Sequence, residues 1–130
     1  MISRKSGYLA ILVGWTIACG GGGNPVLTGP SLVTPVDTTT ITISSGGAVT
    51  PNNIRVTVGS RVTMVNNDSR AHDMNSDPHP VHTECPAINW GVIQPGQNAV
   101  SSALTVARTC GYHDHDQPSN TSLQGAIQIQ

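Results

Sequence analysis

The stretch that decides the fold lies near the C-terminus and reads Cys110-Gly-Tyr-His113-Asp-His115, followed by Leu123-Gln-Gly-Ala-Ile-Gln-Ile129. The second segment alternates apolar and polar residues, which predicts a half-buried β-strand. In the first segment a thiol and two imidazoles stand so close together that they can converge from a tight loop. Thiolate and imidazole are ligands that copper and zinc prefer. The motif therefore predicts a transition-metal site on a loop that a closing strand holds in place.

Short alternating segments fill the chain before this motif, and β-branched residues are frequent in them. The predicted strands cover Thr39–Ile43, Ile54–Val58, Arg61–Asn66, Ala99–Val106, Arg108–Tyr112 and Gln124–Gln130, with Ala99–Val106 and Arg108–Tyr112 paired as a hairpin. No window has a 3.6-residue apolar period. About seven short strands at regular spacing predict an all-β sandwich or small barrel.

The N-terminal residues have the composition of an export signal. A short basic start and an apolar run predict a signal peptide over residues 1–18. The run ends at Ala18-Cys19, which resembles a bacterial lipoprotein cleavage site, so we expect a lipid on Cys19. Residues 19–37 are rich in Gly, Pro, Thr and Ser and predict a flexible linker. The folded domain is then expected over residues 38–130, on the periplasmic side of the cell envelope, or secreted if Cys19 is not lipidated.

Export and charge limit the classes of function. An exported domain folds where disulfides can form, and Cys85 and Cys110 remain once Cys19 is assigned to lipid. These two cysteines are therefore a candidate disulfide pair. The formal net charge of -1 gives no reason to expect nucleic acid as a partner.

All five histidines lie between positions 72 and 115 and form two groups. The first group precedes Cys85, and the second follows Cys110. The first contains His72, His79 and His82, and the second contains His113 and His115. This grouping beside both cysteines strengthens the prediction of a metal site.

From Ile54 onward the chain resembles a cupredoxin, the Greek-key β-sandwich of plastocyanin and azurin. Residues Val56–His72 resemble the family's strand, turn, strand and first copper histidine. Cys110-Gly-Tyr-His113 resembles its thiolate and second histidine, and Leu123–Ile129 resembles its closing strand. The resemblance implies a copper site with His72, Cys110 and His113 as ligands, and one-electron transfer as the function.

The sequence departs from the family at two places. Leu123 stands where the family has its axial methionine, and a leucine cannot coordinate a metal. His115 is the expected replacement, so the predicted ligands are His72, Cys110, His113 and His115. Residues Ser76–Pro86 have no counterpart in the simple blue copper proteins. We expect them to form a flap over the metal, with His79 and His82 as surface residues.

The sequence is compatible with more than one role for Cys110. In one alternative Cys110 forms a disulfide with Cys85, and imidazoles alone hold copper or zinc. In another alternative both thiolates bind the metal.

Three functions correspond to these alternatives. The first is an anchored electron carrier with a redox partner protein. The second is a copper-handling module that exchanges copper with a donor or acceptor, and the third is a structural interaction domain. No paired-carboxylate, Ser/His/Asp or phosphate-loop arrangement is present, so we do not expect an enzyme.

Overall fold

A computed structural model describes residues 33–130, which form two β-sheets and contain no α-helix. The predicted signal peptide, the predicted lipid on Cys19 and most of the predicted linker lie outside the described residues. Within residues 33–130, no helix is long and apolar enough to cross a membrane.

The described chain contains ten strands and two short 3-10 helices. The strands are β1 (Val36–Asp37), β2 (Thr40–Ile43), β3 (Val49–Thr50), β4 (Asn53–Val56), β5 (Thr63–Asn66), β6 (His72–Ser76), β7 (Gly91–Ile93), β8 (Asn98–Val100), β9 (Arg108–Asp114) and β10 (Gly125–Ile129). The 3-10 helices cover Pro86–Ile88 and Thr121–Leu123.

The strands form a six-stranded sheet in the order β1-β4-β10-β9-β6-β7 and a four-stranded sheet in the order β3-β2-β5-β8. In the larger sheet β10 pairs in parallel with β4 and antiparallel with β9. In the smaller sheet β2 and β5 are parallel, and β8 closes one edge. The prediction of an all-β sandwich is confirmed, and five of the predicted strands appear as β2, β4, β5, β9 and β10.

The core between the sheets is almost entirely aliphatic, as the shortage of aromatic residues requires. In β2, β4 and β5 every second side chain is buried, which matches the alternation in the sequence. Trp90 and Tyr112 add an edge-to-face contact with ring centroids 6.0 Å apart. The largest fully buried apolar side chains are Tyr112, Ile41, Ile43, Ile54, Met64, Met74, Ile88, Leu123, Ile127 and Val62.

The structure differs from the predicted local structure at two places. Ala99–Val106 and Arg108–Tyr112 do not form a hairpin, because β8 pairs with β5 in one sheet and β9 lies in the other. The chain between them crosses the sandwich, where Leu104 exchanges backbone hydrogen bonds with Gly59 and Ser60. Strand β6 was not among the predicted strands, because most of its residues are polar, yet it lies between β7 and β9.

Candidate metal centre

Strand β9 carries both the thiol and the first imidazole of the C-terminal motif, on opposite faces. Cys110 lies opposite Ile127 of the core, whereas His113 lies opposite Asn75 of β6. Successive side chains of a strand alternate between its faces, so residues three positions apart point in opposite directions. The predicted tight loop is a continuous strand at this point, so Cys110 and His113 do not converge on one metal ion.

Cys110 forms a disulfide with Cys85, and the Cα atoms of the two residues are 5.9 Å apart. Both cysteines are buried in the core. The expectation that Cys110 binds metal as a thiolate is therefore corrected, because its sulfur is already bonded. The disulfide alternative is the one that the structure shows.

His72 is buried inside the sandwich, in contact with two acidic residues. Its Nδ1 atom lies 2.7 Å from Oδ2 of Asp114, and its Nε2 atom lies 3.0 Å from Oδ2 of Asp68. Both ring nitrogens are thus engaged, and neither offers a lone pair to a metal. The ligand atoms of the other histidines meet elsewhere, so the structure does not bring His72 together with His113 and His115.

The other four histidines meet on the outward face of β9. Ligand atoms of His79, His82 and His113 all lie within 4.8 Å of one another, a spacing that can hold a metal ion. His115 joins them, with its Nδ1 atom 2.7 Å from Nε2 of His82 and its ring centroid 4.7 Å from that of His79. We call these four residues the histidine cluster. Two of them, His113 and His115, were predicted as ligands.

A loop over residues 77–84 brings the other two histidines to β9. The amide of Asp77 donates to the carbonyl oxygen of Gly111 at 3.1 Å, and the amide of Glu84 donates to the carbonyl oxygen of Asp77 at 2.8 Å. The next residue, Cys85, is bonded to Cys110. Both ends of the loop are therefore fixed against the strand that carries His113.

The sequence predicts His79 and His82 as surface residues of the loop and not as ligands. His79 is indeed exposed and His82 half-buried, yet both lie in the histidine cluster. Their spacing of three residues, shortly before a cysteine that pairs with Cys110, was the available signal. That signal requires the disulfide to be chosen over the thiolate, because the disulfide joins the C-terminal end of this loop to β9.

Hydrogen bonds to Nδ1 fix which nitrogen of two of these rings carries the proton. Nδ1 of His113 lies 2.6 Å from Oδ1 of Asp77, and Nδ1 of His82 lies 2.7 Å from the carbonyl oxygen of Ser76. A carbonyl oxygen and a carboxylate both accept hydrogen bonds, so each Nδ1 atom donates and each Nε2 atom keeps its lone pair. In metal-binding histidines, the ring nitrogen that does not bind the metal likewise donates a hydrogen bond to a carboxylate or a backbone carbonyl oxygen.

The Nε2 atom of His113 has no hydrogen-bond partner although it is buried. Among the residues that the structure describes, it is the one buried side-chain nitrogen or oxygen atom that lacks a hydrogen-bond partner. Buried polar atoms without a partner are rare in folded proteins, because the lost hydrogen bond to water is not replaced. A metal ion at this nitrogen would supply the missing interaction, so the donor set fits a metal.

The environment of His79 favours the neutral form of its imidazole. The pKa of His79 is lowered, and the largest cause is partial removal of the ring from water. The smaller causes are repulsion from His115, His113 and His82. A metal ion binds only the neutral form of imidazole, so a lowered pKa helps metal compete with protons. Imidazole nitrogens alone suit copper, zinc and nickel rather than calcium or magnesium.

No family model and no curated protein matches the sequence. In three dimensions the chain is similar to a purple cupredoxin from Nitrosopumilus maritimus, with a TM-score of 0.54 and 20% identity over 72% of this chain and 100% of that one. It is similar to a fern plastocyanin variant, solved oxidised and reduced, with a TM-score of 0.57 and 14% identity over 70% and 99% of the two chains. A copper(I) form of an amicyanin variant gives a TM-score of 0.53 and 17% identity over 70% and 80%. The chain therefore has the cupredoxin fold.

Proposed function

We propose that this protein binds copper through the histidine cluster, with His79, His82 and His113 as ligands and His115 as a fourth imidazole. The observation that carries the proposal is the buried, unpartnered Nε2 atom of His113 beside two further imidazoles. Copper(II) forms the strongest complexes of the common divalent ions with nitrogen ligands. A structural neighbour that contains copper(I) supports the same metal.

The proposal includes one-electron transfer between the protein and a redox partner. A bound copper ion would supply the couple between copper(II) and copper(I). Support comes from the cupredoxin fold and from the fern plastocyanin variant, which was solved in both an oxidised and a reduced form. His79 is exposed and gives the cluster a ligand at the protein surface, where a partner can dock. No substrate turnover is part of this proposal.

A second candidate is copper handling without electron transfer, in exchange with a copper donor or acceptor. The observation that favours it is the disulfide, because it removes the thiolate that the family resemblance implied as a ligand. The same exposed position of His79 allows copper to be passed to another protein. The reversibility of the copper(II)/copper(I) couple on an electrode distinguishes the two functions.

We also propose that the protein works at the cell envelope, anchored through a lipid on Cys19. The support is the sequence of residues 1–19 and the buried Cys85–Cys110 disulfide, which suits an oxidising compartment. Mass spectrometry of the protein from bacterial membranes, compared with a Cys19→Ser variant, measures the lipid directly.

Copper(II) titration of the metal-free full chain tests the proposed binding. We expect one equivalent to bind, with an electron paramagnetic resonance spectrum that shows coupling to imidazole nitrogen and no intense thiolate band in the visible range. His113→Gln should abolish this binding, whereas His72→Gln, a histidine outside the cluster, should retain it. Retention of tight binding in His113→Gln, or displacement of copper by an equal amount of zinc, would contradict the proposal.

A further inference from the structure

We infer that the histidine cluster favours copper(II) over copper(I), and that Asp77 produces much of this preference through His113. The inference rests on the proposed function, since it concerns the same copper site. It adds the oxidation state that the site favours. It also assigns Asp77 the role of orienting His113 and placing a negative charge beside its ring.

The donor atoms of the cluster are nitrogens, and the sulfur atoms nearby in sequence are engaged elsewhere. Cys85 and Cys110 are joined as a disulfide, and Met64 and Met74 are fully buried in the core. Soft thiolate and thioether ligands favour copper(I), whereas imidazole is a good ligand for copper(II). A cluster of imidazoles without sulfur therefore favours the oxidised ion.

Asp77 adds a negative charge directly behind one of these imidazoles. Its Oδ1 atom lies 2.6 Å from Nδ1 of His113, on the ring edge opposite the free Nε2 atom. A carboxylate in this position fixes the ring and makes its other nitrogen a stronger donor. The Coulomb attraction of a fixed negative charge is twice as large for a dication as for a monocation at the same distance. Asp77 therefore stabilises copper(II) more than copper(I).

Gly111 leaves the space that Asp77 occupies. It lies two positions before His113 on β9, and so on the same face of the strand. Its carbonyl oxygen accepts a hydrogen bond from the amide of Asp77. A Cβ atom at Gly111 would collide with Oδ2 of Asp77. An alanine at this position would therefore displace the carboxylate without altering any ligand.

Glu84 provides a matched control. Its Oε2 atom accepts a 3.4 Å hydrogen bond from the amide of Gly111, so its charge lies close to that of Asp77. Among its hydrogen bonds and ion pairs in the described chain, none involves an imidazole. Glu84→Gln thus removes one nearby negative charge but leaves the orientation of His113 unchanged.

The test measures copper(II) and copper(I) affinity in the full chain with competing chelators, for the wild type, Asp77→Asn, Gly111→Ala and Glu84→Gln. Asparagine can still accept the hydrogen bond of His113, so Asp77→Asn isolates the charge. We expect copper(II) affinity to fall about tenfold in Asp77→Asn and at least as much in Gly111→Ala. Copper(I) affinity should change by less than about threefold, and the reduction potential should rise.

Thermal unfolding of each metal-free variant shows that the protein remains folded during the titrations. Equal losses of copper(II) and copper(I) affinity in Asp77→Asn, or an equal loss in Glu84→Gln, would overturn the inference while leaving the copper site itself in place. A wild-type chain that binds copper more tightly as copper(I) would also overturn it. Failure of the wild type to bind either ion would instead overturn the proposed function.

Discussion

The Nδ1 atom of His72 lies 2.7 Å from Oδ2 of Asp114, in the interior of the sandwich. Asp68 contacts the other ring nitrogen, and all three side chains are buried. The hydrogen bond from His72 is the largest cause of the lowered pKa of Asp68. His72, which the family resemblance assigned to copper, therefore links Asp68, shortly after β5, to Asp114 at the end of β9.

The first prediction concerns His72→Gln. The substitution leaves two buried carboxylates without their shared partner, and loss of one member of a buried charged group typically costs about 3 kcal/mol or more. We expect the free energy of unfolding in urea to fall by about that amount, while copper(II) affinity at the histidine cluster changes less than about threefold. Loss of copper binding by a variant that is still folded would identify His72 as a ligand after all.

The second prediction concerns the disulfide, which closes a sequence separation of 25 residues. A cross-link of this span restricts the unfolded chain and contributes about 3 kcal/mol. The Cys85→Ser/Cys110→Ser double variant should lose about this much stability in urea unfolding.

Copper binding gives a second readout of the disulfide. The double variant should also bind copper(II) more weakly, because the loop with His79 and His82 loses one of its attachments to β9. Its copper spectrum should keep the nitrogen coupling of the wild type. A change in the type of ligand would show that Cys110 had been bound to copper.

The third prediction concerns acid stability of the metal-free protein. Because the pKa of His79 is lowered in the folded state, the unfolded chain takes up this proton at a higher pH than the folded chain. The stability contribution is complete above about pH 6.5 and is lost as the pH falls below that value. His79→Gln should make the melting temperature less dependent on pH between about 7 and 5. An unchanged pH dependence in this variant would contradict the assignment.

The fourth prediction concerns Gly125, at the start of the closing strand β10. A Cβ atom there would collide with the carbonyl oxygen of Asn52 and with the hydroxyl of Tyr112, which donates a 3.1 Å hydrogen bond to that carbonyl oxygen. We expect Gly125→Ala to destabilise the fold by about 1–3 kcal/mol in urea unfolding. Gly46→Ala is the control, because its nearest contact would be Oγ of Ser44 at 3.9 Å. Equal effects of the two substitutions would contradict this explanation.

Most of the strands that could be predicted from the sequence have regular alternation. Residues 40–43, 53–56, 63–66 and 125–129 have it, and each forms a strand of the sandwich. Strand β6 could not be found in this way, because its buried residues are mostly polar and are held by specific partners. One example is the amide of Ser76, which donates to Oδ1 of Asn89.

The ligand set was only partly predictable, because sequence spacing does not specify local conformation. A cysteine and a histidine three positions apart converge in a turn and diverge in a strand, and the residues between Cys110 and His113 are compatible with either. The strand is fixed by pairing with β6 and β10, which are distant in sequence. The approach of His79 and His82 likewise depends on a disulfide between remote positions.

The alternation of β9 has a consequence for how this protein can change. Its inward positions belong to the core, and its outward positions face the loop over residues 77–84, whose two ends are joined by a single backbone hydrogen bond. Substitutions on the outward side, or exchange of the whole loop, are therefore expected to change the proposed metal site with little effect on folding. This arrangement offers protein engineers a scaffold in which new metal sites can be built while the sandwich is left unchanged.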